Sequence, residues 1–241
     1  LIRTLIIALF YAVAVPAIGL IGIPWTFITG DVTWLYWRAM WAAYTGVRLT
    51  GVKVEVRGKE NLDPKGTYIF MCNHVSNLDP PIVVPMIPGR TSVLVKKQVF
   101  QVPILSTAMH LADMIPVDRQ NREAAIQSVK EAQRVMITGV HMTVFPEGTR
   151  STDGRLQPFK KGPFHLALET GFPVVPMTIY GSETLMPKGK WSIKPGTVTL
   201  VFHEPIDPQK FTDREELTEL VFNQIASALP EHMKPECHFA A

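Results

Sequence analysis

Cysteine is nearly absent. The chain has two, Cys72 and Cys237, far apart and in no CxxC or Cys/His ligand spacing. That excludes a disulfide scaffold and a zinc module and fits a reducing compartment. His110, His141, His165 and His203 are scattered without ligand spacing, so no metal site is read. There is no run of like charge and no basic stripe interleaved with aromatics, which discounts nucleic acid as a partner. A GxSxG nucleophile elbow is also missing. Charge is wholly absent from residues 4–30, although the chain carries 24 Lys and Arg against 21 Asp and Glu. The resulting net charge of +3 favours anionic partners.

The uncharged stretch reads TLIIALFYAVAVPAIGLIGIPWTFITG. A signal-peptide apolar region is roughly 7–15 residues and ends at a small-residue cleavage site. This one is longer and runs into Trp-rich sequence, so a membrane-spanning or re-entrant helix is the better reading, with a buried core helix as the alternative. Pro16, Gly19, Gly22 and Pro24 weaken a straight helix and admit a kinked or hairpin-like insertion. The sequence opens on Leu1 rather than Met, which leaves room for a preceding segment. Over residues 32–49, Trp34, Trp37 and Trp41 recur at helical spacing. They read either as aromatics at the headgroup level of a bilayer or as a core-facing stripe.

From Gly51 the texture changes to short apolar runs: VKVEV (52–56), YIFMC (68–72), TSVLV (91–95), MIPV (114–117), MTVF (142–145), VVPMTIY (174–180) and VTLVF (198–202). These predict strands. Helical patterns lie between some of them: residues 122–137, with Ala125, Val129, Ala132 and Met136 on one face, then 162–170 and 214–229. The expected fold is α/β, a mixed central sheet flanked by helices on both faces. Three parts follow: a membrane-anchoring helical segment (1–50), a catalytic domain (51–230) and a tail (231–241) read as surface coil.

Two strand ends carry the chemistry. After YIFMC comes Asn73-His74-Val75-Ser76-Asn77-Leu78-Asp79-Pro80-Pro81. In open α/β sheets ligands bind beyond the carboxyl ends of strands, which is where His74 falls. A histidine there suits proton transfer near neutral pH, and Asp79 could fix its tautomer. Five residues apart on a regular helix is about 140° around the axis. The two can therefore meet only if His74 lies in the turn and Asp79 at the helix start, as Pro80 suggests. The plainer alternative is a turn histidine and an N-cap. After MTVF comes Phe145-Pro146-Glu147-Gly148-Thr149-Arg150-Ser151, followed by Arg155, Lys160 and Lys161. Arg150 offers a planar fork for phosphate oxygens, unless the loop is simply a solvated basic one. Lys96 and Lys97 follow another strand, and Arg119 follows MIPVD. Cys72, two residues before His74, admits a covalent mechanism, but a cysteine inside YIFMC is more often buried.

These blocks resemble those of the glycerolipid acyltransferases. NHVSNLDP resembles the NHxxxxD signature, ADMIPVDR (112–119) the second block, FPEGTRS the third and VVPMTIYG (174–181) the fourth, in family order from about Gly51 to Ile206. Within the family the likeness is greatest to 1-acyl-sn-glycerol-3-phosphate acyltransferases, which make phosphatidic acid. The resemblance implies that His74 is a general base on the acceptor's sn-2 hydroxyl, oriented by Asp79. It implies that Lys96 stabilises the oxyanion, and that Arg150, Gly148, Thr149, Glu147 and Arg119 surround the acceptor phosphate. The alternative role for Glu147 is to brace the loop. The implied co-substrate is acyl-CoA or acyl-acyl carrier protein, with no other cofactor. The implied setting is a lipid bilayer, with the catalytic domain on the cytoplasmic side of a bacterial inner membrane. Met177 and Ile115-Pro116-Val117 depart from the usual block sequences and bear on chain-length preference. Rival readings are another lysophospholipid or glycerol 3-phosphate as acceptor, a thioester hydrolase, and a non-catalytic lipid-binding protein.

Overall fold

The computed structural model describes residues 2–117, 122–190 and 192–235. Arg119 and Cys237 lie outside these, as does the side chain of Ala125. Seven strands form one sheet: β1 (Val52–Arg57), β2 (Ile69–Cys72), β3 (Thr91–Lys96), β4 (Ile115–Val117), β5 (His141–Val144), β6 (Val174–Tyr180) and β7 (Gly196–Phe202). All seven coincide with the apolar runs predicted from the sequence. Their order across the sheet is β1-β7-β6-β2-β5-β3-β4. Strands β2 to β6 run one way, whereas β7 pairs antiparallel with β6 and β1 follows β7. The sheet is therefore mixed, as expected.

Alternation along β2 explains its unbroken apolar reading. Ile69 and Met71 enter one core, and Phe70 and Cys72 enter the other. The first core is covered by α5 (Arg122–Ile137), α6 (Lys161–Thr170) and α8 (Arg214–Ser227). They contribute Met136, Phe164, Leu217 and Phe222, each fully or almost fully buried. The second is covered by α2 (Thr33–Leu49) and α3 (Asp79–Met86), through Val47, Ile82 and Val83. Side chains of this size contribute about 1.5–3 kcal/mol each when buried, so a central strand covered on both faces is hard to displace.

The N-terminal stretch forms one continuous helix, α1 (Ile2–Thr29), with Pro16 and Pro24 inside it. A hairpin-like insertion is not what the chain adopts. The hydroxyl of Thr26 donates to the Gly22 carbonyl at 2.8 Å, one of the side-chain bonds that support a proline-containing helix. The helix packs on α2 so closely that a Cβ at Gly46 would lie 2.5 Å from the Tyr11 ring. On α2 the inward residues are Leu35, Tyr36, Ala42 and Val47, whereas Trp37 and Trp41 face outward. Two of the three tryptophans thus belong to an exposed face rather than a core stripe. The remaining short helices are α4 (Leu105–Leu111) and α7 (Ser182–Leu185).

The segment after Pro230 departs from the surface coil expected. Met233 is fully buried in the first core and its carbonyl accepts from Leu156 N at 2.9 Å. Apolarity of one methionine was the only sign of this in the sequence.

Between β6 and α7 the chain turns sharply at Gly181, whose φ is 95° and whose added Cβ would meet the Thr197 carbonyl oxygen at 2.4 Å. Only glycine fits there. Gly181→Ala should cost at least about 1–3 kcal/mol. That lowers the melting temperature by roughly 2–4 °C per kcal/mol for a chain of this size. An unchanged melting curve in detergent would show that the turn tolerates a side chain.

Candidate active site

The carboxyl ends of β2, β3, β5 and β6 lie along one edge of the sheet, and polar residues follow within three positions of each. At the end of β2, Asn73 substitutes its side chain for backbone pairing. Its Oδ1 accepts from Ile179 N at 2.8 Å and its Nδ2 donates to Ile179 O at 2.9 Å. The neighbouring strand is thereby satisfied while the main chain turns away, and His74 is the first residue off the sheet.

His74 then meets Asp79 in the arrangement their spacing demanded: the histidine in the turn, the aspartate at the first residue of α3, with proline following. His74 Nδ1 lies 2.9 Å from Asp79 Oδ2. That same oxygen accepts from Val75 N and Ser76 N, both at 2.7 Å, and Oδ1 accepts from Ser182 Oγ at 2.6 Å. Asp79 is wholly buried. Donors on both oxygens offset the cost of burying a carboxylate and are the pattern an ionised one requires. An acceptor-only partner puts the imidazole proton on Nδ1, an assignment made from the hydrogen-bond network. Nε2 is left with its lone pair. The ring packs on Phe145 with centroids 4.3 Å apart, and the His74 side chain remains 17% exposed, so a substrate can reach it.

Two hydrogen bonds join the second motif to the first, and a third ties Glu147 to the chain that follows it. Glu147 Oε1 accepts from His74 N at 2.6 Å, its Oε2 accepts from Gln157 N at 3.0 Å, and Ser151 N donates to His74 O at 2.9 Å. Glu147 is 1% exposed, so of the two roles open to it the geometry is that of the brace. Both of its carboxylate oxygens are taken up by main-chain N–H groups. Burial pushes its pKa up to about 8, and the charges of Asp79 and Asp153 add to this, against the smaller pull of the two backbone N–H donors. Gly148 makes the turn after it at φ 74°. Thr149 is exposed and Arg150 half-buried beyond that turn, and the Arg150 carbonyl accepts from Lys188 Nζ at 2.7 Å.

Other sequence-nominated groups fall elsewhere. Lys96 ends β3 and is exposed, with β5 standing between its strand and β2. Arg155 is turned to the C-terminal segment, donating to Lys234 O at 3.0 Å, and Lys161 approaches Glu215 at 4.0 Å. Burial, then the charges of Asp79 and Glu147, push the Cys72 thiol well above its ordinary range, so it cannot supply a thiolate. His141 accepts from Tyr68 N at 3.1 Å and His203 contacts Thr178 Oγ1 at 2.8 Å, both in structural roles. Among the described residues no cluster could hold a metal ion.

Sequence reading missed Asn73 and Ser182. Ser182 comes 103 residues after Asp79, and only its place directly beyond a strand end hints at the site.

Glu147 also makes a stability prediction. Its folded pKa, about 8, lies above its ordinary 4.5, so the folded chain holds the extra proton in that interval. Its contribution to stability therefore falls as pH rises from about 4.5 to 8. Denaturation midpoints measured across that range should decline in the native chain and decline less in Glu147→Gln. Equal slopes would mean the carboxyl does not titrate there.

The site sits almost entirely within residues 53–180, which match the acyltransferase family model. The 1-acyl-sn-glycerol-3-phosphate acyltransferase of Limnanthes alba is 35% identical over 232 residues, covering 95% of this chain and 81% of the relative. A Borreliella burgdorferi protein of the same name is 31% identical over 183 residues, 75% of this chain and 73% of its own. The crystal structure of the 1-acyl-sn-glycerophosphate acyltransferase from Thermotoga maritima superposes with a TM-score of 0.80 at 28% identity, covering 93% of this chain and 92% of that one. With a family model over more than half its length and a 35% identical relative along nearly all of it, this chain belongs to the acyltransferase family.

Proposed function

We propose that this chain moves a fatty acyl group from acyl-CoA or acyl-acyl carrier protein to the sn-2 hydroxyl of 1-acyl-sn-glycerol 3-phosphate, giving phosphatidic acid and a free thiol. The observation that carries the chemistry is the 2.9 Å contact of His74 with a buried Asp79 that Val75 N, Ser76 N and Ser182 Oγ also hold. The names of the relatives supply the acceptor.

His74 Nε2 takes the proton of the acceptor hydroxyl as its oxygen attacks the thioester carbonyl carbon. Asp79 stabilises the imidazolium that forms. The tetrahedral oxyanion collapses, the C–S bond breaks, and the departing sulfur takes the proton back from His74. No acyl-enzyme is needed, consistent with a neutral, buried Cys72. Lys96 is the donor proposed for the oxyanion by resemblance. At strand spacing it starts roughly 10 Å from β2, across the end of β5, so it would act on a thioester lying between them. Arg150 would take the phosphate, with Gly148 and Thr149 shaping the loop and Arg119 assisting. Glu147 would hold the loop to His74.

A lysophosphatidate stays in its bilayer. α1 is long and apolar enough to cross a membrane, and most of its large side chains are exposed, from Leu5 at 71% to Ile28 at 83%. Anchoring by this helix would keep the site at the surface where the acceptor lies. The thioester donors are soluble, which puts the catalytic domain on the cytoplasmic side. The relatives come from a plant as well as bacteria, so likeness does not single out a bacterial inner membrane.

His74→Ala should abolish transfer in detergent or bilayers while the chain stays folded, with a lowered melting temperature because the buried Asp79 loses one donor. Arg150→Ala should raise the KM for lysophosphatidate about tenfold or more with a smaller change in kcat. The assay offers lysophosphatidate, lysophosphatidylcholine and glycerol 3-phosphate with each thioester. Product mainly from another acceptor would overturn the phosphate assignment. Thioester hydrolysis without acyl transfer would overturn the acyltransferase chemistry.

A further inference from the structure

Four of the five tryptophans of the chain line one cavity, at the junction of α1 and α2 and away from the sheet edge. The cavity is about 460 Å³ and is walled by Trp25, Trp34, Trp37 and Trp41 together with Asp31 and Arg38. Trp25, Trp37 and Trp41 are 50%, 44% and 54% exposed, a large outlay of aromatic surface. Asp31 spends one oxygen on Thr33 N at 2.8 Å, and the guanidinium of Arg38 lies 5.7 Å over the Trp34 ring. Among the described residues no ion pair joins Asp31 to Arg38. Arg90, whose charge also reaches Asp31, is itself held by Asp113 at 3.0 Å. The cavity therefore presents opposite charges that are not spent on each other, framed by π-faces.

Trp41 also lines a second hollow, about 530 Å³ and almost wholly apolar, whose other residues run along α1 from Ile6 to Ile18. Twelve residues of helix make that hollow about 18 Å long. One leaflet of a hydrocarbon core about 30 Å thick is roughly 15 Å. A tryptophan-lined hollow carrying both charge signs thus shares Trp41 with an apolar trough the length of one acyl chain.

We infer that this pair of hollows is a binding site for one zwitterionic phospholipid of the bilayer, separate from the acceptor site at His74. The ammonium of the headgroup would lie against Asp31 and the tryptophan faces, which attract cations through the ring quadrupole. Its phosphate would take Arg38, and an acyl chain would fill the trough past Trp41. A lipid held there sets the depth of the α1–α2 pair, and so the height of the catalytic edge above the headgroups. The inference rests on the reading of α1 as lipid-facing.

Tryptophan fluorescence reports the site directly, because in a Trp191→Phe background every tryptophan lines it. That protein, in detergent micelles, would be titrated with phosphatidylcholine or phosphatidylethanolamine brominated on the acyl chains, and in parallel with brominated phosphatidylglycerol. Saturable quenching is expected with the zwitterionic lipids, at least tenfold tighter than with phosphatidylglycerol. Asp31→Asn and Arg38→Gln should each weaken it several-fold with unchanged circular dichroism. Quenching that never saturates, that is equal for all headgroups, or that ignores both substitutions would overturn the site. Flotation with vesicles separates this from the membrane reading. Failure to float would sink the lipid-facing role of α1 and with it any bilayer occupant, whereas flotation without saturable quenching would sink the site alone.

Discussion

A carboxylate with no exposed surface is a severe constraint, and the architecture around Asp79 is arranged to satisfy it. Left unpaired, such a charge would be expelled or neutralised. Here its oxygens collect donors from three places: the turn after β2, the His74 ring and Ser182 beyond β6. Each donor fixes a piece of backbone. The turn must curl so that two consecutive N–H groups converge on one oxygen. Helix α3 must begin at Asp79, and β6 must end in a glycine turn that delivers Ser182. The orientation of His74 is a consequence of solving this problem, since the imidazole N–H is one of the donors the buried charge requires.

The sheet makes the solution possible. With β2, β5 and β6 parallel, the residues following each emerge at the same edge, and the two motifs meet there although 73 positions separate His74 from Glu147. Glu147 performs for the second loop what Asp79 does for the first, accepting main-chain donors from both His74 and Gln157. Two buried carboxyls so near each other disfavour a double charge, and burial raises the proton affinity of Glu147. The loop bearing Arg150 is thus clamped to the residue that bears the imidazole. A guanidinium and an imidazole held on one rigid edge would suit the proposed acceptor, whose charged group lies close to its reacting hydroxyl.

Much of this was legible in the sequence because it rests on local rules. The strands are short apolar runs, and α3 announces its start with Asp79-Pro80-Pro81. Excluding a shared helix left a turn histidine and a helix-start aspartate as the one arrangement in which His74 and Asp79 can meet. What was not legible depends on distant partners. Nothing near Ser182 says that it bonds a residue 103 positions earlier. Nothing near Met233 says that it closes the core beside Leu156. Glu147 looks like a surface carboxylate in a basic loop until its burial is seen. The path of α1 was ambiguous for another reason: prolines and glycines permit a break without requiring one, and between the two prolines Gly22 packs closely on Leu35 and Trp34 of α2.

The central claim is that Asp79 fixes His74 with its proton on Nδ1 and its lone pair on Nε2 toward the substrate. Nitrogen-15 chemical shifts of the His74 ring, assigned by comparison with His74→Gln in detergent-solubilised protein, measure this directly. In its neutral form the ring should be the Nδ1–H tautomer, and that preference should collapse in Asp79→Ala. A neutral ring protonated on Nε2, or one whose tautomer is the same with and without Asp79, would contradict the account.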